Sequence, residues 1–299
     1  MDNRVASPND RTCLFCPNHE FGWHYQDVGH GRPLILLHGI GMSHVAWKNV
    51  ISNLAENRRV LAFDIAGFGI TPPMPAEIQP TPANLVAGLG SLGETLDQIR
   101  EERQIGEEYD CVDIVGNSLG GYLALEAAKI GKLSGFRVNS IVAISPAGLW
   151  KKLYPMRSEV VLQITRLGVR HFSRLTIALM RIGYTRKLLM AVPVSTNVPE
   201  EDAYELVNIF ANAPIFASKA AFKKFRESLK DPFKGGRTMS ENIRVTIAFG
   251  KRDWLIPPNA RLRHEIPENV IWQDRAGWGH VPMWDDPEGV TRFILDAVA

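Results

Sequence analysis

The sequence predicts an α/β fold in which a mainly parallel central sheet is covered by helices on both faces and interrupted by an inserted helical cap. Three observations carry that expectation. From about residue 21, short β-rich runs alternate with longer helical ones, as repeated strand–helix–strand units require. Several of the short runs, among them PLILL, CVDIV and NSIVAI, are largely apolar without strict alternation, which suits strands covered on both sides. Between Leu149 and Thr238 the alternation stops and the residues turn helical and basic, with 16 Lys and Arg against 7 Asp and Glu. That segment carries +9 in a chain whose formal net charge is +2, so the remainder carries −7.

Residues 1–20 read as an N-terminal arm lying on the main domain, residues 21–148 and 240–299 as the core domain, and residues 149–239 as the cap. The chain of 299 residues, 45% hydrophobic and 22% charged, is long enough for one large domain carrying such an insertion. Strands are expected at Trp23–Val28, Leu34–Leu37, Arg59–Phe63, Cys111–Val115, Val138–Ile144, Arg244–Phe249 and Val270–Gln273. Helices are expected at His44–Glu56, Pro82–Ile105, Leu119–Ile130, Pro258–His264 and Asp286–Val298. Within the cap, Val161, Ile164, Leu167, Gly168, Phe172, Leu175, Leu179 and Ile182 fall on one side of a 3.6-residue wheel. Arg166, Arg170 and Arg174 fall on the other, so the segment reads as an amphipathic helix broken near Gly168.

A net charge of +2 gives no global field for nucleic acid or for a strongly acidic partner. No apolar stretch reaches the roughly 18 residues of a spanning helix, and the first residues lack a basic start followed by an apolar run. Three cysteines cannot all pair internally, which suits a reducing compartment, so the expectation is a cytoplasmic protein with no integral membrane segment. Cys13 and Cys16, followed by His19 and His24, have the spacing of a small zinc site, but no second pair follows, and the arm is the better reading. Cys111 reads as inert core.

The stretch Gly116-Asn117-Ser118-Leu119-Gly120 joins the strand CVDIV to the helical run LGGYLALEAAKI. A serine hydroxyl is a poor nucleophile unless a base takes its proton, and it must stand clear of the backbone to reach a carbonyl. An abrupt strand-to-helix turn provides that projection, and glycines two positions before and after relieve the contact between strand and helix. The bare pattern is weak evidence, but its position between a strand and a helix makes it strong.

Four further segments agree with this one. His38-Gly39-Ile40-Gly41 follows PLILL, FDIAGFGITP starts at Phe63, FGKRDWLIP starts at Phe249, and GWGHVPMWDDP starts at Gly277. Together they resemble the α/β-hydrolase family over about residues 21–148 and 240–299, although Thr71 stands where many members carry serine. The resemblance implies that family's fold and a serine hydrolase, without a substrate. It makes Ser118 the nucleophile, His280 the general base and Asp253 the acid that orients the imidazole. Asp274 is the rival acid, six residues before His280. The positional matches for the oxyanion are the backbone N–H groups of Ile40 and Leu119. His38 reads as a structural histidine bonded to nearby backbone, and Asp64 as a turn stabiliser. Met42, Asn117, Trp150 and Trp254 are candidates for contact with substrate.

The leading expectation is cleavage of a small-molecule carboxylic ester through an acyl-enzyme, with no metal or organic cofactor. The first alternative is carbon–carbon bond hydrolysis of vinylogous diketo acids. Asn117 beside the serine and the basic cap favour it, since that subgroup often has Gly-Asn-Ser and uses arginine for the substrate carboxylate. The loop HGIGMS, which lacks the Gly-Pro-Gly often found there, speaks against it. Cofactor-free haloperoxidase chemistry and a non-catalytic ligand receptor are minor alternatives. Haloalkane dehalogenases and epoxide hydrolases of this fold place aspartate where Ser118 stands, so the serine argues against both. For the cap, the expectation is an apolar face that roofs the site, with Arg166, Arg170 and Arg174 pointing to water. Two sharper readings have those arginines attract anionic substrates or hold the protein at an anionic membrane.

Overall fold

The computed structural model describes residues 10–12, 22–74, 78, 81–106, 109–150, 156–191, 194–195, 197–217, 219–228, 233–234, 239–263 and 266–299. Among them nine strands form one sheet: β1 (Asp10–Thr12), β2 (His24–Gly29), β3 (Pro33–Leu37), β4 (Arg59–Phe63), β5 (Cys111–Asn117), β6 (Lys132–Leu133), β7 (Phe136–Ile144), β8 (Arg244–Gly250) and β9 (Ile271–Arg275). Their order is β1-β2-β4-β3-β5-β7-β8-β9, with β6 paired to β7 beside that path. From β4 to β9 the neighbours along it run parallel, while β2 pairs antiparallel with both β1 and β4. The eleven helices among these residues are α1 (Lys48–Leu54), α2 (Pro82–Ala87), α3 (Leu89–Arg103), α4 (Leu119–Ile130), α5 (Met156–Arg181), α6 (Gly183–Ala191), α7 (Glu200–Asn212), α8 (Pro214–Ala217), α9 (Lys219–Ser228), α10 (Pro282–Asp285) and α11 (Pro287–Val298).

The central strands are buried as their composition requires: Leu34–Leu37 and Val60–Phe63 have almost no exposed surface. Within the apolar run of β5 the buried Asp113 is satisfied by Arg58 at 2.7 Å and by Asn139 and Ser140 at 2.6 Å each. A lone buried carboxylate would be costly, and this one is paired and hydrogen-bonded.

Several boundaries differ from expectation for local reasons. The helix expected over His44–Glu56 opens as a 3-10 turn capped by Ser43 and ends at Leu54. The one expected over Pro82–Ile105 divides at Gly88 and stops at Arg103, where Gln104 takes a left-handed conformation. The helix expected over Pro258–His264 shrinks to a 3-10 turn at Pro258–Ala260. Arg261 is extended there and bridges Trp150, and the Leu262 N–H donates to the Leu149 carbonyl, so this stretch ties down the end of the loop after β7. β9 starts one residue later than expected and runs two further, in parallel register with β8 from Thr246↔Ile271 to Gly250↔Arg275. Asp286 caps α11 by accepting from the Gly289 N–H.

Of the expected N-terminal arm, Asp10–Thr12 pairs with β2, whereas Cys13, Cys16 and His19 lie outside the described residues. His24, the last member of the zinc reading, lies in β2 with its Nδ1 on Asp64. Cys111 is a free thiol at the start of β5 and only half-buried, not core.

Helices α5–α9 enter the chain between β7 and β8. α5 is kinked at Phe172 (φ −129°, ψ 32°), four residues beyond the break expected at Gly168. The expected split of its faces is corrected in two respects. Arg166 does not point to water: it is buried, its Nε donates to the Phe216 carbonyl at 2.9 Å, and its guanidinium lies 5.1 Å from the Phe222 ring centre. Arg174 is exposed, and the Arg170 and Val161 side chains lie outside the description. Much of the expected apolar face is open to solvent as well, with Ile164 65%, Phe172 61% and Leu175 57% exposed. The aromatic contact with the core comes from the other helices, where Phe210 stacks on Phe216 at 4.3 Å and Phe216 meets Phe68 edge-on.

Candidate active site

The site stands at the carboxyl ends of the parallel strands, where an open α/β sheet leaves a crevice. Ser118 follows β5, Asp253 follows β8 and His280 follows β9. Ser118 has φ 54° and ψ −111°, a conformation most side chains avoid, and it is held there by its neighbours. Its N–H donates to the Ile144 carbonyl at 2.9 Å, and its carbonyl accepts from Ala147 and Tyr122 at 2.9 and 3.0 Å. The two flanking glycines are required by contact. A Cβ on Gly116 would lie 2.1 Å from the Gly120 carbonyl oxygen, and one on Gly120 would lie 2.1 Å from the Leu37 carbonyl oxygen.

The structure brings the three expected side chains together. His280 Nε2 is 2.9 Å from Ser118 Oγ, and His280 Nδ1 is 3.0 Å from Asp253 Oδ2. All three are buried. The other oxygen of Asp253 accepts from the Ile256 N–H at 2.9 Å, so its carboxylate is fixed from both sides. Asp274, the rival acid, is 43% exposed and pairs with Arg261. A carboxylate on Nδ1 keeps that nitrogen protonated and leaves Nε2 free to accept the serine proton.

Leu119 is the first residue of α4, so its amide is one of those with no partner inside the helix. Ile40 is half-buried in the loop after β3 and, with Met42, Asn117, Ser118 and His280, lines a cavity of about 380 Å³. The rest of the lining comes largely from the insertion: Ile164, Val169, Leu179, Met180, Leu206 and Phe210 are representative. Among the described residues no Lys, Arg, Asp or Glu lines it. The expectation for Trp150 and Trp254 is corrected, because neither is part of this lining. Trp150 is buried in its bridge with Arg261, and Trp254 is turned outward, 53% exposed. Asn117 Nδ2 is committed to two backbone carbonyls, Ile144 at 3.2 Å and His280 at 2.9 Å.

His38 and Asp64 hold the loops around the site. His38 is fully buried, with Nδ1 on the Gly39 carbonyl at 2.7 Å and Nε2 accepting from the Ile65 N–H at 2.9 Å, which fixes one neutral tautomer. Burial lowers its pKa to about 4. Asp64 receives two N–H groups on each oxygen: the amide and Nδ1 of His44 on one, His24 Nδ1 and the Ile70 amide on the other. Burial would raise its pKa, but the hydrogen bonds from His24 and His44 outweigh it and hold the carboxyl well below its ordinary range. Those three side chains lie close enough to share a cation, yet the carboxylate's acceptor sites are already filled.

Sequence reasoning missed the contacts that tie the insertion to the histidine. The Val194 carbonyl accepts from the backbone N–H groups of His280 at 3.0 Å and Val281 at 3.3 Å. Ser195 Oγ donates to Asp285 Oδ1 at 2.5 Å, and Asp285 Oδ2 accepts from the Gly279 N–H at 2.8 Å. Nothing in a plain Val-Ser dipeptide announces such a role.

Residues 34–293 match the model of the alpha/beta hydrolase family. The chain is 29% identical over 210 residues to epoxide hydrolase EphH of Mycobacterium tuberculosis, a stretch covering 66% of this chain and 91% of that one. It is 40% identical over 105 residues to 2-hydroxy-6-oxo-2,4-heptadienoate hydrolase of Pseudomonas putida, covering 34% of each chain. Among solved structures, a serine hydrolase involved in carbazole degradation superposes with a TM-score of 0.63 at 22% identity, over 97% of this chain and 98% of that one, a likeness of fold.

Proposed function

The chain belongs to the alpha/beta hydrolase family, and from that premise we propose that it hydrolyses a carboxylic ester of a small to medium, largely apolar substrate through an acyl-enzyme. Ser118 Oγ attacks the ester carbonyl while His280 Nε2 takes its proton, and Asp253 steadies the imidazolium that results. The oxyanion formed on the carbonyl is received by the N–H groups of Ile40 and Leu119. As the tetrahedral intermediate collapses, the proton passes from His280 to the leaving alkoxide and the alcohol departs. Water then repeats the sequence on the acyl-serine, with His280 as base, and releases the acid and the free serine.

The observation that carries this reading is the cavity joined to the triad. Its volume, about 380 Å³, is in the range of a small-ligand site, and its described walls are apolar apart from the catalytic groups and a few neutral polar side chains. A diketo acid would bring a carboxylate into that space with no described Lys or Arg in the lining to receive it, at a cost of several kcal/mol. Asn117, whose amide nitrogen is spent on two carbonyls, does not replace such a cation. The kinship with an epoxide hydrolase leads elsewhere for a chemical reason. A carboxylate nucleophile that opens an epoxide yields an ester that water can cleave, whereas Ser118 would be left as an inert ether.

The test is turnover of p-nitrophenyl esters of graded acyl length beside a vinylogous diketo acid. Ester turnover is expected and should fall about 10⁴-fold or more in Ser118→Ala and in His280→Ala, with the double variant hardly worse than either. Cleavage of the diketo acid without ester turnover would replace this reading with carbon–carbon bond hydrolysis.

A further inference from the structure

Large apolar residues of α5 and α6 stand exposed at helical spacing, and two of them also line the cavity. On α5, Val160, Ile164 and Leu167 precede the kink and Phe172 and Leu175 accompany or follow it, and Ile182 stands just beyond the helix; all are about half or more exposed. Tyr184, Leu188 and Leu189 continue the exposure onto α6. Ile164 and Leu189 belong both to this exposed set and to the cavity lining, so the outer apolar surface runs into the inner one. A monomer in water gains nothing from such a face, and contiguous patches of this kind mark interaction sites.

Charge decides among the possible partners. Residues 156–191 carry seven Lys or Arg and a single acid, Glu159. Arg166 is turned inward, but Arg174, Arg181 and Lys187 are exposed beside the apolar residues. A second copy of this chain would oppose the same face with the same positive charge, which disfavours a symmetric dimer here. An anionic lipid surface complements both features, since its acyl region takes the apolar side chains and its headgroups take the cations.

We propose that α5 and α6 dock the protein on an anionic bilayer surface, with the cavity mouth facing the lipid, so that an apolar ester passes from the membrane to Ser118. The docking stands independently of the hydrolase reading; the delivery of an ester rests on it.

Co-sedimentation with lipid vesicles tests the proposal, using the full chain as Ser118→Ala so that no lipid is consumed. Vesicles of equal parts phosphatidylcholine and phosphatidylglycerol should bind it, pure phosphatidylcholine much less, and added salt should weaken the binding. Phe172→Ser/Leu175→Ser should bind the anionic vesicles about tenfold more weakly or worse. Arg174→Gln/Lys187→Gln should lose most of the salt dependence. Neither pair lines the cavity, so both should keep wild-type turnover of a soluble short-chain ester in the Ser118 background, which also reports that they fold. No binding to anionic vesicles at low salt, or binding unchanged in both double variants, would overturn the docking. Normal docking by a protein inactive on every ester would leave the docking intact and refute the delivery of an ester.

Discussion

The strand ends that hold Ser118, Asp253 and His280 and the helical insertion between β7 and β8 are built on opposite terms. Around the strand ends the carboxylates nearest the site are buried against partners, Asp253 on His280 and Asp64 under His24 and His44, and within β5 Asp113 is buried on Arg58. In the insertion, large apolar residues stand in water while one arginine, Arg166, is buried. The first arrangement fixes a single geometry, as catalysis by positioned groups needs. The second leaves apolar surface exposed beside an apolar-lined cavity, which suits a region that meets something other than water.

Changes of a single methyl group sharpen that contrast most. Gly120→Ala should destabilise the fold by about 3 kcal/mol or more, because the new Cβ would strike backbone at Leu37. Gly168→Ala, whose Cβ meets nothing within 4 Å on a helix of the insertion, should be neutral or stabilising by up to about 1 kcal/mol. Thermal or urea unfolding of both variants checks this, and equal losses would mean the insertion is as tightly determined as the core.

Acidification breaks the same comparison from the core side. His38 has its pKa lowered to about 4 by burial, against an ordinary value near 6.5. Between those values the unfolded chain takes up a proton that the folded chain refuses, so stability falls with falling pH. This contribution, of the order of 3 kcal/mol, is fully present above about pH 7 and gone near pH 4. Asp64, with a depressed pKa, stabilises above its unfolded value near 3.9 and is lost only below it, so its window lies lower. In His38→Asn, whose amide can keep the bond to the Gly39 carbonyl without a group that titrates, the loss between pH 6.5 and 4.5 should shrink markedly. An unchanged slope would mean that other groups carry it.

Within the insertion the two described arginines of the basic stripe should part company. Arg166→Ala is expected to cost about 2 kcal/mol, from a charge-assisted hydrogen bond to Phe216 and the face of Phe222. Arg174→Ala should stay within about 0.5 kcal/mol of the wild type, as exposed substitutions do. Comparable effects would restore the simpler picture in which all arginines of the stripe face solvent.

How much was legible in the sequence follows the same division. The strand-to-helix turn at Ser118, the loop carrying Asp253 and the histidine after β9 depend on local patterns, and those patterns are written in Gly116, Gly120, Pro257 and the apolar runs beside them. The helix expected over Pro258–His264 stops after one turn, where a distant partner, Trp150, holds Arg261 in an extended bridge. The period of α5 was visible in its residues, but which face meets water was not. That depends on Phe216 and Phe222, some fifty residues away, accepting Arg166 between them. Trp150 and Trp254 fall outside the lining for a similar reason, since proximity in sequence to a site segment does not set the direction of a ring.

The central claim is that Ser118 is the activated nucleophile, and active-site labelling with a fluorophosphonate followed by peptide mass spectrometry tests it most directly. An activated serine attacks phosphorus, expels fluoride and remains as a stable phosphonyl ester that water does not readily clear. The account predicts one label per chain, on the peptide containing Ser118, with loss of ester turnover in proportion to labelling and little labelling in His280→Ala. Ester turnover that survives complete labelling of Ser118, or a label carried by another residue while Ser118 stays free, would contradict it.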